Sequence, residues 1–328
     1  MALVIKNLWV KDGNISLAGK TVPFWGFAPS GGGTPILPGP LIEAEVGDMI
    51  WVNLHNRSIP YPVSVMFPGQ ENVFTRSGLG LWARVRPQYE NNVIVSLTDY
   101  LEPGQNMPVR YLFQAVKPGV YLFESGTSPE LQVQMGLWGI LIVRPKDYSS
   151  QLKTAYGANT GSEFDVEQVL VVSDVDSTMH TALNQGISYN LLDYAPDCWL
   201  INGRSCPDTL KNDDDADLPN QPYSSLISAK VGQRVLLRII NAGFLNHTLQ
   251  LGGLTGRVVA GDSFSFISAT SDVSYQKTAI TLGAGQSFDV ILIPETPGEY
   301  YFYAREYGQV VNDDIFPGGM MTKMTVTP

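Results

Sequence analysis

Val46-Gly47-Asp48-Met49-Ile50-Trp51-Val52-Asn53-Leu54-His55-Asn56 recurs later in the chain as Val231-Gly232-Gln233-Arg234-Val235-Leu236-Leu237-Arg238-Ile239-Ile240-Asn241. Each copy opens on a glycine turn and runs into a short segment whose residues suit a pleated, half-buried surface. Other motifs repeat in the same order. Glu102-Pro103-Gly104-Gln105, then Lys117-Pro118-Gly119-Val120-Tyr121-Leu122-Phe123, is matched by Gly283-Ala284-Gly285-Gln286, then Thr296-Pro297-Gly298-Glu299-Tyr300-Tyr301-Phe302. Gln134–Val143 is echoed by Gly318–Val326. The offsets are 185 residues for Gly47 to Gly232, 181 for Gly104 to Gly285 and 179 for Pro118 to Pro297. A near-constant offset across motifs in fixed order signals a tandem duplication.

Between the motifs the chain is punctuated in the same style. Met49–Leu54, Val109–Phe113, Val120–Phe123, Gly139–Val143, Gln168–Val172, Arg234–Ile240, Ser287–Ile293 and Tyr300–Tyr303 read as strands bounded by Gly, Pro, Asn or Asp, and Leu3–Val10 as another. No amphipathic helix of three turns is expected. Such spacing predicts an all-β protein of two Greek-key β-sandwiches. The polar stretch Tyr148–Glu163 reads as the connection, giving a first domain over 1–148, a linker over 149–163 and a second domain over 164–328. The 328 residues, 44% of them hydrophobic, are enough for two cores. A net charge of −10 argues against nucleic acid as a main partner, and no apolar run approaches the roughly 20 residues of a membrane-spanning helix.

The motifs resemble those of the multicopper oxidases, which are built from tandem cupredoxin-type sandwiches. Pro38-Gly39-Pro40-Leu41-Ile42 with Val46–Asn56 is similar to the opening of the family's first domain, and Pro118–Phe123 and Gly136–Val143 to its closing strands. Leu200-Ile201-Asn202-Gly203-Arg204 and Leu237–Gly243 are similar to its next unit. The likeness covers nearly the whole chain and implies two cupredoxin-like folds.

Copper chemistry does not carry over residue by residue. The family's His-Trp-His-Gly places two imidazoles on one strand face; the matching segment here is Val65-Met66-Phe67-Pro68-Gly69, so Met66 and Pro68 hold the ligand positions. The family's His-Ser-His corresponds to Glu124-Ser125-Gly126, and its His-Cys-His to Tyr303-Ala304-Arg305 ahead of Gly319-Met320-Met321. The chain has only three His in all. The expectation is therefore no copper of its own and no catalytic residue.

The remaining candidates have plain readings. His55 reads as a capping or core-edge residue, His247 as a structural hydrogen-bonding one, and His180 as part of a solvated loop. Glu124 is expected to pair with Arg84, Arg86 or Lys117 or to stand as a rim carboxylate, with a hard cation as the alternative. Asp213-Asp214-Asp215 with Asp217, inside Asn212–Asn220, lacks calcium-loop spacing and reads as a solvated acidic loop. Met320, Met321 and Met324 read as core filler, and Tyr300, Tyr301, Tyr303 and Tyr307 as strand aromatics. Gly31-Gly32-Gly33 has no following helix and reads as flexible connection. Cys198 and Cys206 fit either a small disulfide loop or two buried free thiols.

Two functions from different classes follow. One is a copper-free, non-catalytic structural or protein-binding module whose partner is another protein or a second copy. The other is a scaffold domain pair or subunit of a larger oxidase whose copper lies in other domains or chains. No signal peptide is seen, and the resemblance implies an exported protein, periplasmic or extracellular.

Overall fold

The computed structural model describes residues 1–268 and 270–328, and its contacts divide the chain into two units. The first comprises Met1–Asn14 and Pro23–Lys146, the second Ile15–Val22 and Asp147–Pro328. Both are built of strands, as cupredoxin-like sandwiches. The helix Ser177–Asn184 reaches only 8 residues.

In the first unit the strands are β1 (Leu3–Leu17), β2 (Lys20–Ala28), β3 (Gly39–Glu45), β4 (Met49–Asn56), β5 (Phe74–Ser77), β6 (Ala83–Arg84), β7 (Gln88–Glu90), β8 (Val93–Ser96), β9 (Val109–Gln114), β10 (Gly119–Glu124) and β11 (Trp138–Arg144). One sheet runs β2-β1-β4-β9-β5-β6 and a second β10-β11-β3; β7 and β8 form a separate hairpin. The tip of the β1–β2 hairpin, Ile15–Val22, groups with the second unit.

The second unit continues with β12 (Val166–Val175), β13 (Cys198–Ile201), β14 (Ile227–Lys230), β15 (Val235–Asn241), β16 (His247–Leu251), β17 (Gly256–Gly261), β18 (Phe264–Ser265), β19 (Tyr275–Lys277), β20 (Ala279–Leu282), β21 (Ser287–Leu292), β22 (Gly298–Ala304) and β23 (Met321–Thr327). Its sheets are β13-β12-β15-β21-β17-β18, with β19 also on β17, and β14-β23-β22-β16-β20.

The duplication holds at the level of register. β1 runs parallel to β4, and β12 parallel to β15; β9 is antiparallel to β4, and β21 to β15. β10 is antiparallel to β11, which lies parallel to β3; β22, β23 and β14 repeat that order. The twinned glycines explain why the motif survives. Gly47 and Gly232 sit at φ +99° and +80°, a left-handed turn that a Cβ disfavours. Each donates its N–H across the sandwich edge, Gly47 to Ala115 and Gly232 to Pro294.

Alternation sorts the side chains. On β4, Ile50, Val52 and Leu54 are fully buried while Trp51, Asn53 and His55 lie half-buried on the other face. The second core gathers Leu237, Ile239, Leu249, Val290 and Phe302 with Met320 and Met324. Those two methionines are core filler, as the strand pattern suggested.

The stretch expected as a linker has packing of its own, and the expectation for His180 needs correction. Residues 149–163, read as a polar linker, include Ala155 and Tyr156, which pack with Tyr148 and Phe164 over Leu236, Val259 and Ile291 of the second unit. Scattered apolar residues in a polar stretch thus cover the outer face of a sheet. His180, expected in a solvated loop, is 1% exposed. Asp176 accepts from the N–H groups of Thr178 and Met179, and this cap starts the short helix that turns His180 inward.

Candidate functional site

The ligand-matching positions of the first unit converge where register would bring them. Met66 and Glu124 form an antiparallel bridge, Met66 N–H to Glu124 O at 2.7 Å and Glu124 N–H to Met66 O at 3.2 Å. Gly126 lies beside them, and Pro68 is exposed.

What fills the space is not a metal cradle. A Cβ on Gly126 would stand 2.7 Å from Met66 Cγ and 3.1 Å from both Met66 Sδ and Ser64 Oγ, so a larger side chain there requires Met66 to move. Hydroxyls knit the rest. Thr127 Oγ1 donates to Ser64 Oγ at 2.9 Å, Gly126 N–H reaches the same oxygen at 3.1 Å, and Ser96 Oγ lies 2.9 Å from Thr127 Oγ1. Ser125 Oγ donates to Gln132 Oε1 at 2.7 Å, and Gln132 Nε2 to Pro62 O at 2.8 Å. This buried network is satisfied by its own members, the condition under which polar groups are tolerated in a core.

Glu124 stands apart from the expected ion pair. Among the described residues no Lys or Arg comes within salt-bridge distance of it; Lys117 binds Glu71 at 2.9 Å instead, and Arg84 is exposed on β6. Burial alone pushes its carboxyl above the ordinary glutamate range. It is a half-buried rim carboxylate.

In the second unit, Ala304, matched in sequence to the family's Cys, is fully buried. Arg305 Nη1 donates to Gln250 Oε1 at 2.8 Å. Tyr303 lines an apolar cavity of about 530 Å³ with Tyr301, Tyr307, Val310, Phe316 and Met321. Tyr300 is tied instead to Thr296.

Of the three histidines, His180 and His247 are buried and His55 is half-buried. His247 is fully buried, with Nε2 2.8 Å from Asp174 Oδ1 and Nδ1 3.0 Å from Gln309 Oε1. Asp174 also accepts from the Tyr194 hydroxyl and from the N–H groups of Phe244 and Leu245 at 3.2 and 3.1 Å. Burial acts to raise its carboxyl, but the hydrogen bonds from His247 and Tyr194 outweigh it and hold the group below the ordinary aspartate range. Burial and Asp176 push the neighbouring Tyr189 hydroxyl up to about 12. His55 stacks on Trp9, ring centroids 3.8 Å apart and planes 4° from parallel, as a strand-edge residue.

Among the described residues no group of three or more His, Cys, Asp or Glu could hold a metal ion. The donor set does not fit copper: a thioether, a lone carboxylate, a phenol and a guanidinium replace imidazoles and thiolate. Cys198 and Cys206 are both free and buried, which resolves the two alternatives in favour of thiols. In the acidic loop Asp213, Asp214 and Asp217 are exposed; Lys211 Nζ lies 3.1 Å from Asp208 and 3.2 Å from Asp217, and buried Arg204 donates to the carbonyls of Lys211, Asn212 and Gln221.

Sequence reading passed over one group. The outward face of the β1–β4–β9–β5 sheet collects Trp9, Trp51, Trp82, Arg57, Arg76 and Arg110, and its signal was the alternation Trp51-Asn53-His55 opposite Ile50-Val52-Leu54.

Residues 167–326 match the family model for multicopper oxidase. Laccase-12 of Arabidopsis thaliana is 27% identical over 286 residues, covering 84% of this chain and 43% of its own length. Laccase-3 of Botryotinia fuckeliana is 27% identical over 276 residues, 82% of this chain and 50% of its own. The chain thus spans half or less of these curated relatives. Among solved structures, a blue copper oxidase from Nitrosomonas europaea superposes with a TM-score of 0.74 at 24% identity, covering 99% of this chain and 86% of that one. A copper nitrite reductase from the same organism gives 0.66 at 19% identity, over 99% and 94%. At such identities the structural likeness speaks for the fold. No helix among the described residues is long and apolar enough to cross a membrane.

Proposed function

We propose that this chain, which belongs to the multicopper oxidase family, holds no copper of its own and serves as a non-catalytic, protein-binding module. The observation that supports the reading is the packing at Gly126, where Met66 and the hydrogen-bonded Ser64–Ser96–Thr127 hydroxyls, and no imidazole, are the neighbours. Apolar surface suited to a protein partner or a second copy supports it. The β7–β8 hairpin exposes Tyr89 (62%) and Val93 (63%), and a two-stranded hairpin with bare apolar side chains gains stability when something covers it. The Tyr303 cavity leaves Phe316 67% exposed at its rim.

A second reading is favoured by one fact, the share of the laccases that the chain spans: it is a scaffold pair or subunit whose copper lies in other domains or chains. An exported location rests on family membership alone, since free Cys198 and Cys206 add no support.

Copper loading tests both. After incubation with copper(I) and copper(II) and removal of excess, elemental analysis is expected to find no stoichiometric copper, and the spectrum no blue or near-ultraviolet charge-transfer band. One bound copper per chain with such a band overturns the first reading. A copper-loaded chain that co-purifies from the native source moves the second ahead.

A further inference from the structure

We propose that the outward face of the β1–β4–β9–β5 sheet binds an acidic polysaccharide, a chain of sugar rings carrying carboxylates. Register lays the face out in rows across the strands. Ile5, Trp51, Leu112 and Phe74 form one; Asn7, Asn53, Arg110 and Arg76 the next; Trp9 and His55 a third. Trp82 packs edge-on against Trp51 at 5.2 Å, and the Arg57 guanidinium lies 5.4 Å from the Trp9 ring centroid. The opposite face, through Ile50, Val52, Tyr111 and Phe113, is core. The rowed face is not: Ile5 is 56% and Phe74 41% exposed.

Charge is the informative feature. The protein carries 31 Asp and Glu against 21 Lys and Arg, yet none of the rowed positions is acidic. Arg76 and Arg110 stand directly opposite each other across β5 and β9, a like-charge pairing that destabilises a sheet. Among the described residues neither has a carboxylate within 4 Å, nor has Arg57. Arg110 donates to Gly78 O at 2.8 Å, while Arg76 Nε is buried without an acceptor. Guanidiniums held together without counter-ions form a receptor for an anion, which they grip through paired N–H donors.

Geometry and chemistry narrow the anion. Rows two residues apart lie about 7 Å apart along a strand, so the Trp51 and Trp9 rows are separated by about 13 Å with the arginine row between them. An extended oligomer spans that distance, and a single small anion does not. Indoles supply flat apolar surface for rings. The amide relay suits hydroxyl-rich ligands: Trp51 Nε1 donates to Asn53 Oδ1 at 2.7 Å, and Asn53 Nδ2 to Asn7 Oδ1 at 3.0 Å.

The test is titration calorimetry of the full chain at low salt with three probes: polygalacturonate, its fully methyl-esterified form and poly(dT). Polygalacturonate is expected to bind at least tenfold tighter than either of the others, and salt to weaken it. R76Q/R110Q should cost at least tenfold in affinity without lowering the melting temperature, because it removes a repulsive pair. W82A should weaken binding while leaving the melting curve cooperative. The proposal is overturned by no binding of polygalacturonate, by equal binding of the esterified polymer, by tighter binding of poly(dT), or by full affinity in R76Q/R110Q.

Discussion

Replacing Arg238 by Met should break a buried charge cluster of the second unit. Arg238 side-chain exposure is 0%, and the guanidinium bridges Glu167 (Nε to Oε1, 2.6 Å) and Asp289 (Nη1 to Oδ2, 2.9 Å), whose exposures are 15% and 1%. Arg238 and Asp289 are direct cross-strand partners on β15 and β21, and the Tyr156 hydroxyl donates to Asp289 Oδ2 at 2.8 Å. Removing the cation leaves a carboxylate in the sheet's covered face with its counter-charge gone, a loss of about 3–5 kcal/mol. For a unit of this size each kcal/mol moves the midpoint by roughly 2–4 °C, so R238M should melt about 6–20 °C lower at pH 7. Scanning calorimetry that resolves the second unit's transition reads this directly. The deficit should shrink in acid, where protonation removes the uncompensated charge. The triple variant R238M/E167M/D289L should recover most of the loss, because matched apolar groups often replace a buried ion pair at little cost. R238M within about 1 kcal/mol of the parent, or a triple variant as weak as the single one, refutes the reasoning.

Other perturbations have signs fixed by the structure. Glu124 is raised by burial, so the folded state favours its protonated form, and stability falls as pH rises from the ordinary glutamate value, about 4.3, through the folded one. E124Q should therefore be more stable than the parent at pH 7 and equal to it below about pH 4; urea midpoints at both pH values check this, and a less stable E124Q at pH 7 contradicts it. Asp174 is depressed, so its contribution is present above the ordinary aspartate value, about 3.9, and lost as pH falls through the folded one. D174N, which leaves buried donors without their charged acceptor, should lose about 3 kcal/mol at neutral pH and progressively less in acid. Gly319 is at φ +56°, and a Cβ there would lie 2.1 Å from Gln309 O, whereas at Gly47, φ +99°, it would meet nothing within 4 Å. G319A should cost about 3 kcal/mol and G47A about 1, and equal melting temperatures for the two would show that the contact does not matter.

Much of the fold was readable because it is written in short-range code. Ile50, Val52 and Leu54 point inward by strand alternation, and the glycine turns at Gly47 and Gly232 recur because each closes the same corner. What escaped was set by tertiary geometry. Asp176 looked like one more loop acid until its cap on Thr178 and Met179 made a helix and buried His180. Lys117 was as near in sequence to Glu124 as any cation, yet it reaches Glu71 from the other side of its turn. Tyr148, Ala155, Tyr156 and Phe164 are too widely spaced to announce a covering layer, and only the sheet beneath gathers them.

The ligand-matching positions teach a complementary lesson. Sequence comparison locates Met66, Glu124 and Gly126 separately, and a loss of ligands at each is compatible with a vacant, reparable site. The structure brings them together: Met66 leans on Gly126, and Ser64, Ser96 and Thr127 hydrogen-bond one another beside them. The β1–β4–β9–β5 sheet carries Trp9 and Trp51 on its outward face, with Trp82 packed on Trp51 and guanidiniums without counter-ions beside them. A sheet whose outer face keeps an unneutralised charge cluster suits recognition at its surface, where such a cluster costs stability unless a ligand meets it.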